Sequence, residues 1–157
     1  FGFSIETILM FVIAMILLAI TMIDFDTMII PDGLNIAMFI VSIVLMYVRH
    51  MSLLESIIGM FCISVPMILL NVLIAESFGG GDIKLMFVSG IALGWKYSLL
   101  AAFIGILLAG SYSIYLLVSK KINKKGQIAF GPYLSIGIFI ALSYGSEIIS
   151  WYLNLMM

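Results

Sequence analysis

The chain has 157 residues, of which 64% are hydrophobic and only 10% are charged, and its formal net charge is −1. Its mean hydropathy of +1.31 excludes a soluble globular domain, because such domains are about half apolar and a quarter charged. No basic patch suggests nucleic acid as a partner, and the single cysteine, Cys62, excludes an internal disulfide or a cysteine-rich zinc site. The composition therefore predicts an integral membrane protein.

Apolar segments recur along the whole chain, and a membrane-spanning helix needs roughly 20 such residues. We predict an all-α, polytopic transmembrane helical bundle of about six helices, with residues 1–157 forming a single transmembrane domain. In chain order the predicted helices cover residues 5–23, 34–48, 53–75, 83–95, 98–118 and 128–153. The second and fourth segments are short for a membrane span.

The basic residues predict the orientation of the chain, because cytoplasmic loops carry an excess of lysine and arginine. Four lysines between the fifth and sixth segments place that loop in the cytoplasm, and with six spans the first and third loops lie on the same side. The other side holds Arg49 and Lys96. The basic residues on the cytoplasmic side are Lys84, Lys120, Lys121, Lys124 and Lys125.

Four aspartates fall at this cytoplasmic face, and two of them are candidates for chemistry, because an ionisable group at membrane depth costs at least ~2.5–3.5 kcal/mol. Asp24 directly follows the first apolar segment, and Asp82 directly precedes the fourth. Asp82 has an alternative interpretation as a helix N-cap, a position that aspartate favours. Asp32, after Pro31, is predicted to cap the second helix, and Asp26 to be a solvated loop carboxylate.

Two neighbouring carboxylates are sufficient to hydrolyse an amide without a metal or a cofactor. One, ionised, takes a proton from water, while the other, protonated, donates one to the carbonyl oxygen. At about 5 Å and an effective dielectric constant near 20, repulsion of about 3 kcal/mol favours this unequal state. The only histidine, His50, falls on the opposite side of the membrane. We therefore expect Asp24 and Asp82 to be catalytic, with no metal and no cofactor.

The residues around Asp82 are weaker candidates. Three glycines precede it, and their backbone is free to approach an extended peptide closely. Lys84 lies two residues beyond Asp82 and so on a different face of the helix; it is predicted to be a boundary lysine or a contact for a substrate acid. The candidates for substrate binding or loop support are Gly79, Gly80, Gly81, Lys84 and Asp32.

Three stretches of the sequence resemble, in order, motifs of the type IV prepilin peptidase family. Residues 23–32, Ile-Asp-Phe-Asp-Thr-Met-Ile-Ile-Pro-Asp, resemble its first aspartate motif. Residues 79–85, Gly-Gly-Gly-Asp-Ile-Lys-Leu, look like its G-x-G-D-x-K-L motif, and residues 129–134, Ala-Phe-Gly-Pro-Tyr-Leu, are similar to a third signature near the last helix. The resemblance covers essentially the whole chain.

This resemblance implies a membrane aspartyl endopeptidase that removes the short basic leader from prepilins and pseudopilins of pilus, secretion or competence systems. It implies a multi-pass protein of the plasma (inner) membrane, with its active site at the cytoplasmic face. The two family aspartates map onto Asp24 and Asp82, and the expected partners are the precursor and membrane lipid, not nucleic acid. Many bacterial members also carry an N-terminal region with two Cys-x-x-C pairs that is linked to methylation. Residues 1–157 contain one cysteine, so we expect that region to be absent from them, either because the protein is a peptidase-only form or because an upstream segment is missing, and assign no methyltransferase activity.

Two alternative functions are compatible with the sequence. Another G-x-G-D intramembrane protease, related to presenilin or signal peptide peptidase, shares only the short glycine motif. A small transporter or proton-coupled carrier would use the same buried carboxylates. That alternative predicts a substrate path across the membrane, whereas these aspartates cluster at one face.

Overall fold

The structure, a computed structural model, describes residues 4–74, 78–119 and 129–156. Within these ranges it consists of helices without any strand, which confirms the predicted all-α bundle. The helices are α1 (Ile5–Thr27), α2 (Asp32–Val48), α3 (Leu53–Leu73), α4 (Gly80–Val118) and α5 (Gly131–Met156). Four of them are long and apolar enough to cross a membrane, while α2 is shorter, with 17 residues. The chain is therefore a multi-pass membrane protein.

The described residues form five helical elements where about six helices were predicted, because the predicted fourth and fifth helices are the two arms of one element and are joined directly at Gly94. Helix α4 has 39 residues and contains one break, at Gly94, where φ is +66° and ψ is 175°. This backbone conformation is open almost only to glycine. No polar loop separates the two arms of α4, residues 80–93 and 95–118, so the composition of the segment predicts the two arms but not their direct connection.

The two arms of α4 run in opposite directions. The first arm lies antiparallel to α3: the Ser56 hydroxyl, near the start of α3, donates to the Ile91 carbonyl at 3.0 Å, near the end of the arm. The second arm lies antiparallel to α5, because Tyr97 contacts Gly145 late in α5, and Gly105 contacts Leu134 early in it. The start of α4 and the start of α5 therefore lie at the same end of the bundle, and Gly94 lies at the other.

Apolar side chains fill the interior between these two ends. Ile20, Met38, Leu85, Met86 and Ile138 are fully buried, whereas many large apolar side chains on the outer faces of all five helices are exposed. Exposed apolar faces on every helix are those of a bundle surrounded by lipid rather than by water. The fold thus holds its described charged side chains near its two ends.

Several helix ends differ from the predicted ones, and each difference changes where an aspartate lies relative to a helix end. Helix α1 continues to Thr27 instead of residue 23, so Asp24 lies within its last turns. Helix α4 begins at Gly80 instead of residue 83, so Asp82 lies in its first turn. The prediction that Asp32 caps α2 is wrong, because the N-cap is Pro31 and Asp32 is the first helical residue. The predicted cytoplasmic lysines at 120, 121, 124 and 125 lie outside the described residues.

Candidate active site

Asp24 is held at the junction of α1 and α5. Its side chain is 4% exposed, and its Oδ2 accepts a hydrogen bond of 3.0 Å from the backbone N–H of Gly131. Gly131 is the first residue of α5, so the positive end of that helix faces the carboxylate and stabilises negative charge there. A Cβ on Gly131 would lie 2.6 Å from Oδ2, so only glycine permits this approach.

Asp82 reaches the same region from the start of α4. The N-cap of this helix is Gly79, so the alternative interpretation of Asp82 as the N-cap is wrong. Asp82 lies three residues further on, where a side chain can bond back to the cap N–H, and the Gly79 N–H does interact with this carboxylate. Asp82 is 7% exposed, and its Oδ1 has no hydrogen-bond partner among the described residues.

One cavity of about 370 Å³ brings the two aspartates together, and the charge of Asp24 acts on Asp82. The glycine run and Lys84 also line this cavity, as does Asp32. Asp26, in contrast, is exposed and does not line it. The structure thus collects at one end of the bundle every residue that the sequence proposed for catalysis, substrate binding or loop support.

Lys84 and Asp32 form an ion pair at the mouth of the cavity. The Lys84 Nζ donates to the Asp32 Oδ1 at 2.6 Å, with the two side chains 58% and 69% exposed. An ion pair this open to solvent contributes at most about 1 kcal/mol. Its role is positional, since it joins the first turn of α2 to the first turn of α4.

The three sequence motifs interlock around the aspartates. Gly81 packs so closely on Ile30 that an added Cβ would lie 2.8 Å from the Ile30 Cβ. The rings of Phe78 and Phe130 contact each other with centroids 5.4 Å apart. Because Gly131 follows Phe130 and binds Asp24, contacts between motifs fix both carboxylates.

Asn71 is a positioning residue that the sequence analysis missed. Its Nδ2 donates to the Phe78 carbonyl at 2.9 Å, and its Oδ1 accepts from the Phe78 N–H at 2.7 Å. The side chain thereby fixes the backbone directly before the Gly79 N-cap. The available signal was an amide side chain inside an apolar segment, which is rare without a partner or a task.

A second polar cavity, of about 490 Å³, lies at the opposite end of the bundle, near Gly94. There the Arg49 Nε donates to the Glu6 Oε1 at 2.7 Å, and the Arg49 Nη2 donates to the Leu142 carbonyl at 3.4 Å. Arg49 thus joins the end of α2 to α1 and α5. His50 follows it directly, far from the aspartates, as the sequence predicted.

The end of the bundle that contains Asp24, Asp32 and Asp82, called the acidic end below, offers carboxylates. Over residues 4–74, 78–119 and 129–156, no group of three or more His, Cys, Asp or Glu side chains is placed to hold a metal ion.

A sequence model of the type IV leader peptidase family matches residues 11–114. The chain is 30% identical over 159 residues to the prepilin leader peptidase/N-methyltransferase of Bacillus subtilis strain 168, covering 99% of this chain and 63% of that protein. The proteins of the same name from Aeromonas hydrophila and Legionella pneumophila are each 30% identical, over 88% and 98% of this chain and 50% and 56% of their own lengths. The chain thus spans about half to two thirds of these relatives. No solved structure gave a significant match.

Proposed function

Because this chain belongs to the type IV leader peptidase family, we propose that it is a membrane aspartyl endopeptidase that removes the basic leader from prepilin-like precursors. The proposed catalytic pair is Asp24 and Asp82. The single observation that carries this proposal is the meeting of two buried carboxylates, from separate helices, in one cavity. The proposal covers the peptidase reaction only.

The proposed mechanism needs one proton shared by the pair, a state that the repulsion of two neighbouring carboxylates favours. The ionised carboxylate takes a proton from water while the water oxygen attacks the carbonyl carbon of the scissile peptide bond. The protonated carboxyl group gives its proton to the carbonyl oxygen. The tetrahedral intermediate then collapses and the C–N bond breaks, while the leaving nitrogen takes the proton that the first carboxylate accepted from water. A hydroxyl of the former carbonyl carbon returns a proton to the second carboxylate, which restores the pair. Among the described residues the Asp82 Oδ1 has no hydrogen-bond partner.

Charge complementarity supports a basic leader as substrate. Three carboxylates, those of Asp24, Asp32 and Asp82, line the cavity with one lysine, Lys84. Because Lys84 is paired with Asp32, the remaining charge is negative and attracts lysine- or arginine-rich peptides. In this proposal Gly79, Gly80 and Gly81 border the extended substrate, and the Lys84–Asp32 pair supports the mouth.

We further propose that the acidic end faces the cytoplasm. The lysine-rich stretch 120–125 follows α4 and precedes α5, and α5 begins at the Asp24 carboxylate, so the positive-inside rule favours this orientation. The check is single-cysteine labelling with an impermeant maleimide in a Cys62→Ser background. Lys124→Cys should react from the cytoplasmic side and Lys96→Cys from the opposite side, and the reverse pattern would refute the orientation.

The decisive experiment is cleavage of a prepilin-like substrate in membranes by wild type, Asp24→Asn, Asp82→Asn and Asp32→Asn. Asparagine retains the shape of aspartate but cannot exchange the proton, so the first two variants should lose activity by at least about 10³-fold. Asp32→Asn breaks only an exposed ion pair and serves as the matched control. Unchanged cleavage in Asp24→Asn or Asp82→Asn, at equal protein levels, would refute the assignment.

The carrier alternative finds no comparable support. It needs a polar path between the two ends, but the interior beside the aspartates is filled by buried Leu85, Met86 and Ile138. A carrier would also transport its solute without cleaving any peptide. The absence of cleavage by wild type, together with proton-coupled uptake in vesicles, would favour it.

A further inference from the structure

An apolar groove of about 560 Å³ lies beside the catalytic cavity, between α2, α3 and the first arm of α4. Its walls are Ile36, Phe39, Phe61, Val65, Ile68 and Phe87. Asp32 and Lys84 line both the groove and the catalytic cavity. The groove therefore adjoins the proposed active site, and the Lys84–Asp32 ion pair lies between them.

One residue that lines the groove, Asn35, has a buried side-chain amide. Asn35 lies one turn of α2 beyond Asp32, lines the groove and is 4% exposed. Neither its Nδ2 nor its Oδ1 has a hydrogen-bond partner among the described residues. Burial of an unpaired amide destabilises a fold unless a partner arrives, so Asn35 points to a ligand that supplies both a donor and an acceptor.

A backbone peptide unit is the ligand that matches this amide. It presents one N–H and one C=O, and the structure already contains such a match, in which the Asn71 amide binds the N–H and the C=O of Phe78. A lipid acyl chain would fill the apolar walls equally well but would leave both amide atoms of Asn35 unpaired. The buried amide therefore favours a peptide over a lipid.

We infer that Asn35 is a substrate-binding residue that holds a backbone N–H and C=O of the apolar precursor segment next to the scissile bond. This inference rests on the proposed peptidase function. A peptide bond must leave a helical conformation before two carboxylates can reach it, and unwinding in apolar surroundings frees backbone groups that need partners. Asn35 supplies those partners, while the apolar walls receive the side chains of the same segment.

The first test replaces Asn35 with leucine, which has a similar volume and no polar atom, and uses a prepilin-like peptide as the substrate. Loss of two hydrogen bonds to the substrate should lower kcat/KM about 10- to 30-fold, mainly through KM. The thermal midpoint in detergent should stay equal or rise, since an unpaired amide is removed. The matched control is Ser42→Ala, because Ser42 is also a buried, unpaired residue of α2 but does not line the groove; its cleavage should equal that of wild type.

The second test uses substrate peptides in which one backbone N–H at a time, outside the scissile bond, is replaced by an ester oxygen. Wild type should lose about 5- to 10-fold in kcat/KM at one position, and Asn35→Leu should show no loss at that position. The inference is overturned if Asn35→Leu cleaves like wild type, as a lipid-filled groove would give. It is equally overturned if that variant fails to fold or if its ester scan matches that of wild type. Failure of wild type to cleave would instead overturn the proposed function.

Discussion

The two ends of the helical bundle both concentrate ionisable side chains, but they satisfy them in opposite ways. At the Gly94 end, Arg49 meets Glu6 and a backbone carbonyl, so opposite charges are paired. At the other end, Asp24 and Asp82 are like charges, both more than nine-tenths buried, and one oxygen of Asp82 has no partner among the described residues. A fold that needed only stability would have no reason to keep the second arrangement.

This contrast teaches where stability and proposed chemistry are located. The Arg49 cluster joins three helices and should contribute to the free energy of unfolding. The aspartate pair should cost stability, because two carboxyl groups that share one negative charge are held together away from water. The same pair should contribute to cleavage. Variants at the two ends should therefore affect different measurements.

Outside the two carboxylates themselves, the largest expected effect is that of Gly131→Ala on cleavage. The new Cβ would lie 2.6 Å from the Asp24 Oδ2, and that carboxylate would have to rotate away and lose the Gly131 N–H. Displacement of a catalytic group by about 1 Å can cost about 10²-fold in rate, so we expect a loss of that order at nearly unchanged thermal stability. Gly33→Ala is the control, because a Cβ there meets nothing within 4 Å. Equal activity of Gly131→Ala and wild type would contradict the conclusion that the contact between Gly131 and Asp24 is needed for cleavage.

A smaller effect is expected for Asn71→Leu, which leaves the N–H and C=O of Phe78 unpaired. The backbone before Gly79 would lose its fixed position, and we expect cleavage to fall about 10-fold, with a loss of about 1–3 kcal/mol in stability. Asn71→Asp retains the acceptor for the Phe78 N–H and should retain more activity. Steady-state cleavage and thermal unfolding of the two variants measure this, and equal activities would argue against a positioning role.

The smallest effect is expected at the opposite end, for Arg49→Met. The pair is partly open to solvent, with side chains 20% and 41% exposed, so its loss should cost about 1 kcal/mol. The cleavage rate per folded molecule should not change. Lys96→Met is the control, since Lys96 lines the same cavity and its contact is with the Trp95 ring, at 5.5 Å. A selective loss of cleavage in Arg49→Met would contradict the division between the two ends.

The sequence was sufficient to predict that Asp24 and Asp82 lie at the same end. Successive membrane-spanning segments alternate in direction, so the end of the first segment and the start of the fourth lie on the same side. The sequence also predicted a boundary between two helices at residues 95–98, next to the break at Gly94, but not that the two arms join directly. The apolar runs on either side read as two helices, and only the backbone conformation of that glycine shows that they join without a loop. The helix ends near both aspartates were displaced by three or four residues, because polar residues are tolerated in terminal turns.

The hydrogen-bond and ion-pair partners of polar side chains could not be predicted from the sequence for a different reason. Asp32 after a proline has the pattern of a helix cap, yet its carboxylate binds Lys84, 52 positions away. Asn35 and Asn71 are the same residue type in similar apolar helices, yet Asn71 is paired and Asn35 has no partner among the described residues. Such differences depend on which atoms the fold places opposite each side chain, and local patterns contain no information about that.

The break at Gly94 also sets the depth at which the proposed reaction takes place. The first arm of α4, residues 80–93, rises about 21 Å at 1.5 Å per residue, whereas the hydrocarbon core of a bilayer is about 30 Å thick. If Gly94, which lies beside Glu55, were at the far boundary of the hydrocarbon core, this arm would be too short to cross it and Asp82 would lie several ångströms below the near surface. Either the bilayer would then thin around α4, or the precursor would have to be drawn down into a recess to meet the two carboxylates.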